Sequence, residues 1–165
     1  MKKITFLTIS IILFVYVNAC TGYAPIYSSQ NFNFKIEDYS IKGEERLANL
    51  IYRKLRNISS SNKDNQAIQS ISISIETKKE RKPTIKNNVG KILEYEINLN
   101  TTIIVNDFLT NKEILNKYFN YSISYKVQEE HSETIKLENK NIENLVDKTY
   151  QDALIKISEI LTSQW

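Results

Sequence analysis

The sequence predicts an α+β fold: a two-layer sandwich in the order strand, helix, three strands, helix, its four-stranded, mainly antiparallel sheet covered by two helices. Three observations predict it. Four segments alternate apolar and polar residues with a period of two, two others carry an apolar stripe at helical spacing, and turn-forming residues separate them. A period-2 strand has one face to bury and an amphipathic helix has one stripe, so each layer supplies what the other needs.

Phe32, Phe34 and Ile36 alternate with Asn33, Lys35 and Glu37, the pattern of a half-buried strand that Gly43 stops. From Glu44 the period changes. Leu47, Leu50, Ile51, Leu55 and Ile58 recur at helical spacing, and Glu44 and Glu45 occupy the first turn, where the helix dipole favours acids. The polar run Ser59 to Asn65 closes this helix. Ile71, Ile73 and Ile75 alternate with Ser70, Ser72 and Ser74 in a second strand. A basic stretch follows, with Pro83, Asn87, Asn88 and Gly90 as turn chemistry. Leu93, Tyr95, Ile97, Leu99, Ile103 and Val105 fall on one face of a long third strand. Turns at Asn106-Asp107 and Thr110 to Lys112 lead to a fourth, with Phe119, Tyr121, Ile123, Tyr125 and Val127 on one face. Gln128 to Lys140 reads as a charged connection. Ile142, Leu145, Val146, Tyr150, Ala153, Leu154, Ile157 and Leu161 then form one stripe of a helix, with Asn141 as its N-cap.

The N-terminus reads differently. Lys2 and Lys3 precede an almost wholly apolar stretch, Ile4 to Val17. A helix that crosses a bilayer needs roughly 20 apolar residues. This stretch is shorter and reads as the apolar region of a signal peptide over residues 1–19. The chain's single cysteine, Cys20, follows Ala19 directly. A lone thiol closes no internal disulfide, so no disulfide framework exists. Small residue and cysteine together resemble a bacterial lipobox, in which the thiol is acylated and becomes the first mature residue. Each buried acyl methylene contributes ~0.8 kcal/mol, so several chains on one cysteine anchor a protein durably. Residue 21 is Thr and not Asp. By resemblance to lipoproteins of diderm bacteria, that favours the outer membrane. Residues 20–31, with Gly22, Pro25 and Ser28-Ser29, form a lipidated tether, and 32–165 a single domain.

Charge is informative only in its distribution. Of 22 basic residues, Lys2 and Lys3 fall in the leader, and the rest nearly balance 19 acidic ones. Lys78, Lys79, Arg81, Lys82, Lys86 and Lys91, however, face only Glu80 within their stretch. A positive patch on a slightly acidic body points to a local anionic partner and not to nucleic acid.

No catalytic constellation emerges, and the expectation is that the chain is not an enzyme and holds no cofactor. His131 is the only histidine and sits among Glu129, Glu130 and Glu133. No His or Cys cluster has metal-ligand spacing. Three glycines make no phosphate-cradling loop. Glu94 and Glu96 lie on the polar face of a strand, as solvated carboxylates do. Tyr95, Tyr121 and Tyr125 share the apolar faces and read as core.

Cys20, Gly22, Tyr23, Pro25, Ile26 and Tyr27, followed by this order of elements, resemble the LPS-assembly lipoprotein E (LptE) family. The resemblance implies a protein lipid-anchored at the periplasmic face of the outer membrane. It implies a plug inside a large β-barrel LPS translocon, aiding barrel assembly and binding lipopolysaccharide during its delivery. On that reading Lys78, Lys79, Arg81, Lys82, Lys86 and Lys91 meet lipopolysaccharide phosphates, Arg81 as a bidentate fork and the lysines as point charges. The plainer alternative is an exposed turn that uses charge for solubility and to block edge pairing. The polar strand faces, with Ser70, Ser72, Ser74, Asn98, Asn100, Asn120, Ser122 and Ser124, face either a hydrophilic barrel lumen or solvent. Two rival classes remain: an accessory lipoprotein of another, ABC-type envelope lipid-transport system, and an exported hydrolase or ligand carrier.

Overall fold

The computed structural model describes residues 34–59 and 69–163. The leader 1–19, the tether 20–31 with Cys20, and Phe32 of the first expected strand lie outside the described residues. Six elements follow in order: β1 (Phe34–Gly43), α1 (Glu45–Ser59), β2 (Gln69–Lys86), β3 (Ile92–Asp107), β4 (Glu113–Lys126) and α2 (His131–Ser163). The order strand, helix, three strands, helix is the expected one.

The strands lie side by side in sequence order, β1-β2-β3-β4. β1 and β2 are parallel, and the other two pairs are antiparallel. Connection length explains the mixture. Short turns permit hairpins at β2–β3 and β3–β4, whereas α1 carries the chain from the end of β1 back to the start of β2.

One face of the sheet is apolar because the registers keep the period-2 residues together. Ile73 opposes Val105 and Ile75 opposes Ile103, all of them buried. Leu115 and Phe119 of β4 continue the face. Leu47, Ile51 and Leu55 of α1 and Leu145, Val146, Leu154 and Ile157 of α2 cover it. Each such side chain contributes about 1.5–3 kcal/mol by leaving water. Tyr125 is buried in this core, and Tyr95 and Tyr121 pack against it half-buried.

Gly43 makes the exit from β1 possible. Its φ is +77°, and a Cβ there would lie 2.2 Å from the Thr77 carbonyl oxygen. That oxygen accepts a hydrogen bond from the Glu44 N–H at 2.7 Å, which pins the start of α1 against β2. Only a residue without a side chain brings the two backbones this close.

Three boundaries differ from the sequence reading. β2 does not end near Ile75 but runs through the basic stretch to Lys86, because β3 pairs with it as far as Ile92. β4 begins at Glu113, ahead of Phe119, since Leu115 pairs with Val105 inside the core. α2 begins at His131, so the expected charged connection Gln128–Lys140 is mostly helix, and Asn141 is a buried interior residue and not an N-cap. Its first turns pack through polar atoms. The Thr134 hydroxyl accepts a hydrogen bond from the Gln128 N–H at 2.9 Å, which ties the end of β4 to the helix.

Candidate functional site

The basic stretch folds into the far half of the β2–β3 hairpin, where α2 reaches as far as Arg81 and the tip beyond it is exposed. Its six cations fall into two groups. Lys78, Arg81 and Lys82 lie along β2 and are held by carboxylates. Lys78 Nζ meets Glu80 at 2.6 Å, and Lys82 Nζ meets Glu96 across the strands at 2.8 Å. The Glu80 and Glu96 hydrogen bonds hold both ammonium pKa values above the usual lysine value, while the lysines hold the two carboxyls below theirs.

Arg81 is the most constrained of the six. Its Nε lies 3.4 Å from Glu138 Oε2, and its guanidinium stacks 3.7 Å from the Tyr95 ring centroid. The Tyr125 hydroxyl donates to the same Glu138 oxygen at 2.6 Å, and the Tyr95 and Tyr125 rings stack with centroids 5.9 Å apart. Burial, then the Glu138 bond, pushes the Tyr125 phenol pKa well up. This cluster joins the hairpin to the first turns of α2. Sequence reading missed Glu138, because a glutamate in a charged run carries no local signal of a partner 57 positions upstream.

Lys79, Lys86 and Lys91 make no ion pair among the described residues. Lys79 is half-buried on β2, and Lys86 and Lys91 flank the exposed tip. The tip is ordered by Asn87. Its Oδ1 accepts hydrogen bonds from the Val89 N–H at 3.1 Å and the Lys91 N–H at 2.8 Å, and Gly90 supplies a φ of +82°. Beside the two lysines, Val89 is 86% exposed, and Ile85 and Leu93 are also exposed. The free end of the hairpin therefore combines ammonium groups with apolar side chains.

The uncovered sheet face carries the expected polar residues. The Ser40 and Ser74 hydroxyls bond at 2.8 Å across β1 and β2, and the Tyr118 hydroxyl donates to Asn100 at 2.9 Å. Among the described residues no three His, Cys, Asp or Glu side chains gather as metal ligands, and no helix is long and apolar enough to cross a membrane. His131 is exposed at the start of α2.

No protein-family model matches this chain, and no curated protein does. Solved structures do. The chain is similar to the solution structure of an uncharacterised lipoprotein B from Nitrosomonas europaea, at 12% identity and a TM-score of 0.56, over 80% of this chain and 89% of that one. It is similar to a chain provisionally assigned as a lipoprotein from Caulobacter crescentus CB15, at 13% identity and a TM-score of 0.55, over 79% and 92%. A minor lipoprotein from Acinetobacter baumannii matches at 17% identity and a TM-score of 0.52, over 74% and 90%. At such identities the shared property is the fold.

Proposed function

We propose that this chain is a bacterial envelope lipoprotein, anchored through acyl chains on Cys20, that serves as plug and assembly partner of an outer-membrane β-barrel LPS translocon and binds lipopolysaccharide as it passes. The observation that carries the reading is the lipobox-like Ala19-Cys20 placed ahead of a fold that solved bacterial lipoproteins share. No covalent chemistry is part of this role.

The hairpin supports the lipid half of the proposal. Lipopolysaccharide presents phosphates next to acyl chains. The tip presents Lys86 and Lys91 next to Ile85, Val89 and Leu93, which is the complementary pairing of charge and apolar surface. Lys79, which makes no ion pair among the described residues, adds a third cation on β2. Lys78, Arg81 and Lys82 enter the ligand contact only by exchanging a carboxylate for a phosphate. The short polar side chains on the open sheet face support the plug half, since they permit close approach to the wall of a hydrophilic lumen.

The test is purification of the tagged protein from gently solubilised membranes. A large β-barrel in roughly equimolar amount is the expected partner, since one plug fills one lumen. Inner-membrane transporter subunits in its place, or no partner, would overturn the reading. A second arm measures lipopolysaccharide binding. Lys86→Glu with Lys91→Glu weakens it, and unchanged binding removes the tip from the site.

A further inference from the structure

We propose that the free edge of β4 takes up an extended polypeptide segment of a partner protein as a fifth strand, and that the segment carries acidic side chains near both ends and an uncharged, strand-forming middle. The proposal does not depend on the tether or on lipopolysaccharide.

Among the described residues, β4 has β3 as its one strand neighbour. Which backbone groups it leaves free follows from the ladder. The Val127 N–H donates to the Leu93 carbonyl at 2.9 Å, and the Asp107 N–H donates to the Lys112 carbonyl at 2.9 Å. The β3–β4 register runs unbroken from Glu94↔Lys126 to Val105↔Leu115. In an antiparallel pair the inward-facing groups alternate. Phe119, Tyr121, Ile123 and Tyr125 therefore bond to β3, and the N–H and C=O groups of Tyr118, Asn120, Ser122 and Ser124 point off the edge.

The two edges of this sheet are treated differently. β1 carries the protections usual for an exposed edge: Lys35, Glu37, Asp38 and Lys42, and a register irregularity between Ile36 and Asp38. From Tyr118 to Tyr125, β4 has no charge, no proline, no glycine and no bulge. From Phe119 to Tyr125 aromatic and β-branched residues alternate with small polar ones, which suits a central strand.

Charge selects the occupant. Lys117 and Lys126 bracket the uncharged run, and neither makes an ion pair among the described residues. A second copy of β4 laid antiparallel would gather Lys117 of one copy and Lys126 of the other at each end of the seam, on opposite faces of the sheet, and would supply neither lysine with an acid. An incoming strand with acids at those ends gains two opposite-charge contacts instead. On the helix side, an open cleft of about 380 Å³ between β4 and α2 is lined by Lys117, Phe119, Tyr121, Asp152, Ile155 and Lys156. It receives alternate side chains of the added strand, as in peptide recognition by strand addition.

The test is amide hydrogen exchange on the full-length protein in detergent micelles. The probe is a ten-residue capped peptide of alternating Thr and Val with Glu at both ends, and the control has Lys at both ends. The acidic peptide should slow exchange at Tyr118, Asn120, Ser122 and Ser124 by about tenfold or more, with the control well behind. Ser122→Pro should abolish the effect. A proline whose missing N–H faced outward leaves the β3 ladder whole. Lys117→Glu with Lys126→Glu should reverse the preference between the two peptides. No slowing by the acidic peptide, or equal slowing by both, overturns the proposal. So does protection that rises with protein concentration and no peptide present, which identifies a second copy as the occupant.

Discussion

The guanidinium of Arg81 lies over the ring of Tyr95 at 3.7 Å from its centroid, close enough to be a structural contact in its own right. A cation over an aromatic face at a partly exposed position contributes about 0.5–1 kcal/mol. The Glu138 pair adds little more at this exposure. Arg81→Ala should therefore lower stability by about 1 kcal/mol in chemical denaturation, and Arg81→Lys should restore only part, since an ammonium cannot stack as a plane. A double-mutant cycle with Tyr95→Leu should recover a coupling of about 0.5 kcal/mol or more. Lipopolysaccharide binding should fall less in Arg81→Ala than in the Lys86→Glu, Lys91→Glu variant.

Gly43 and Gly90 both adopt positive φ, yet their surroundings differ. A side chain at Gly43 collides with the Thr77 backbone, whereas nothing lies within 4 Å of the corresponding position at Gly90. Gly43→Ala should cost about 3 kcal/mol or more, combining backbone strain with displacement of β1 from β2. Gly90→Ala should cost only the left-handed conformation, about 1 kcal/mol. Urea midpoints measured side by side decide it. Equal losses would mean that the β1 exit relaxes around a methyl group.

Thr77 and Thr101 stand opposite each other in the β2–β3 register, both fully buried, and neither Oγ1 has a hydrogen-bond partner among the described residues. A buried hydroxyl without a partner is a net cost. Valine keeps the shape and removes the oxygen. Thr77→Val and Thr101→Val should each raise stability by about 1 kcal/mol, read as a shift in thermal midpoint. A lowered midpoint would show that the hydroxyl is satisfied in solution.

The Tyr121 phenol donates a hydrogen bond to Asp152, and Lys148 Nζ sits 4.5 Å from its ring centroid. Burial first, then the Asp152 carboxylate, pushes its pKa up to about 12. An unfolded tyrosine titrates near 10. The folded state thus holds its proton more tightly, and the stability this confers is complete below about pH 10 and lost as pH rises toward about 12. Tyr121→Phe should flatten part of the alkaline fall in stability while costing about 1 kcal/mol at neutral pH for the lost bond. An unchanged alkaline limb would contradict the assignment.

The fold was legible wherever apolar side chains did the packing. The alternation of Ile71, Ile73 and Ile75 and the stripe from Ile142 to Leu161 gave the right elements and the right buried faces. Reading failed where polar atoms did the packing. The first turns of α2 dock through Thr134 and Glu138, which have no hydrophobic period to detect. The parallel β1–β2 pairing was also out of reach, because alternation names a face and not a neighbour. At the hairpin, the cluster of cations was plain in the chain. Its division into carboxylate-held and unpaired members depends on strand register and on a helix whose start was misplaced.

The parallel pair has a consequence for the order of assembly as the chain is synthesised. β2, β3 and β4 form a meander joined by short turns, so their contacts close over small loops and form early. β1 emerges first but has no partner until Gln69 arrives, after α1 has been made. α1 in turn packs against α2, the last of the described elements. The first strand and the last helix therefore wait for each other. Their docking completes the core, so the chain stays without its finished tertiary structure until α2 has been made.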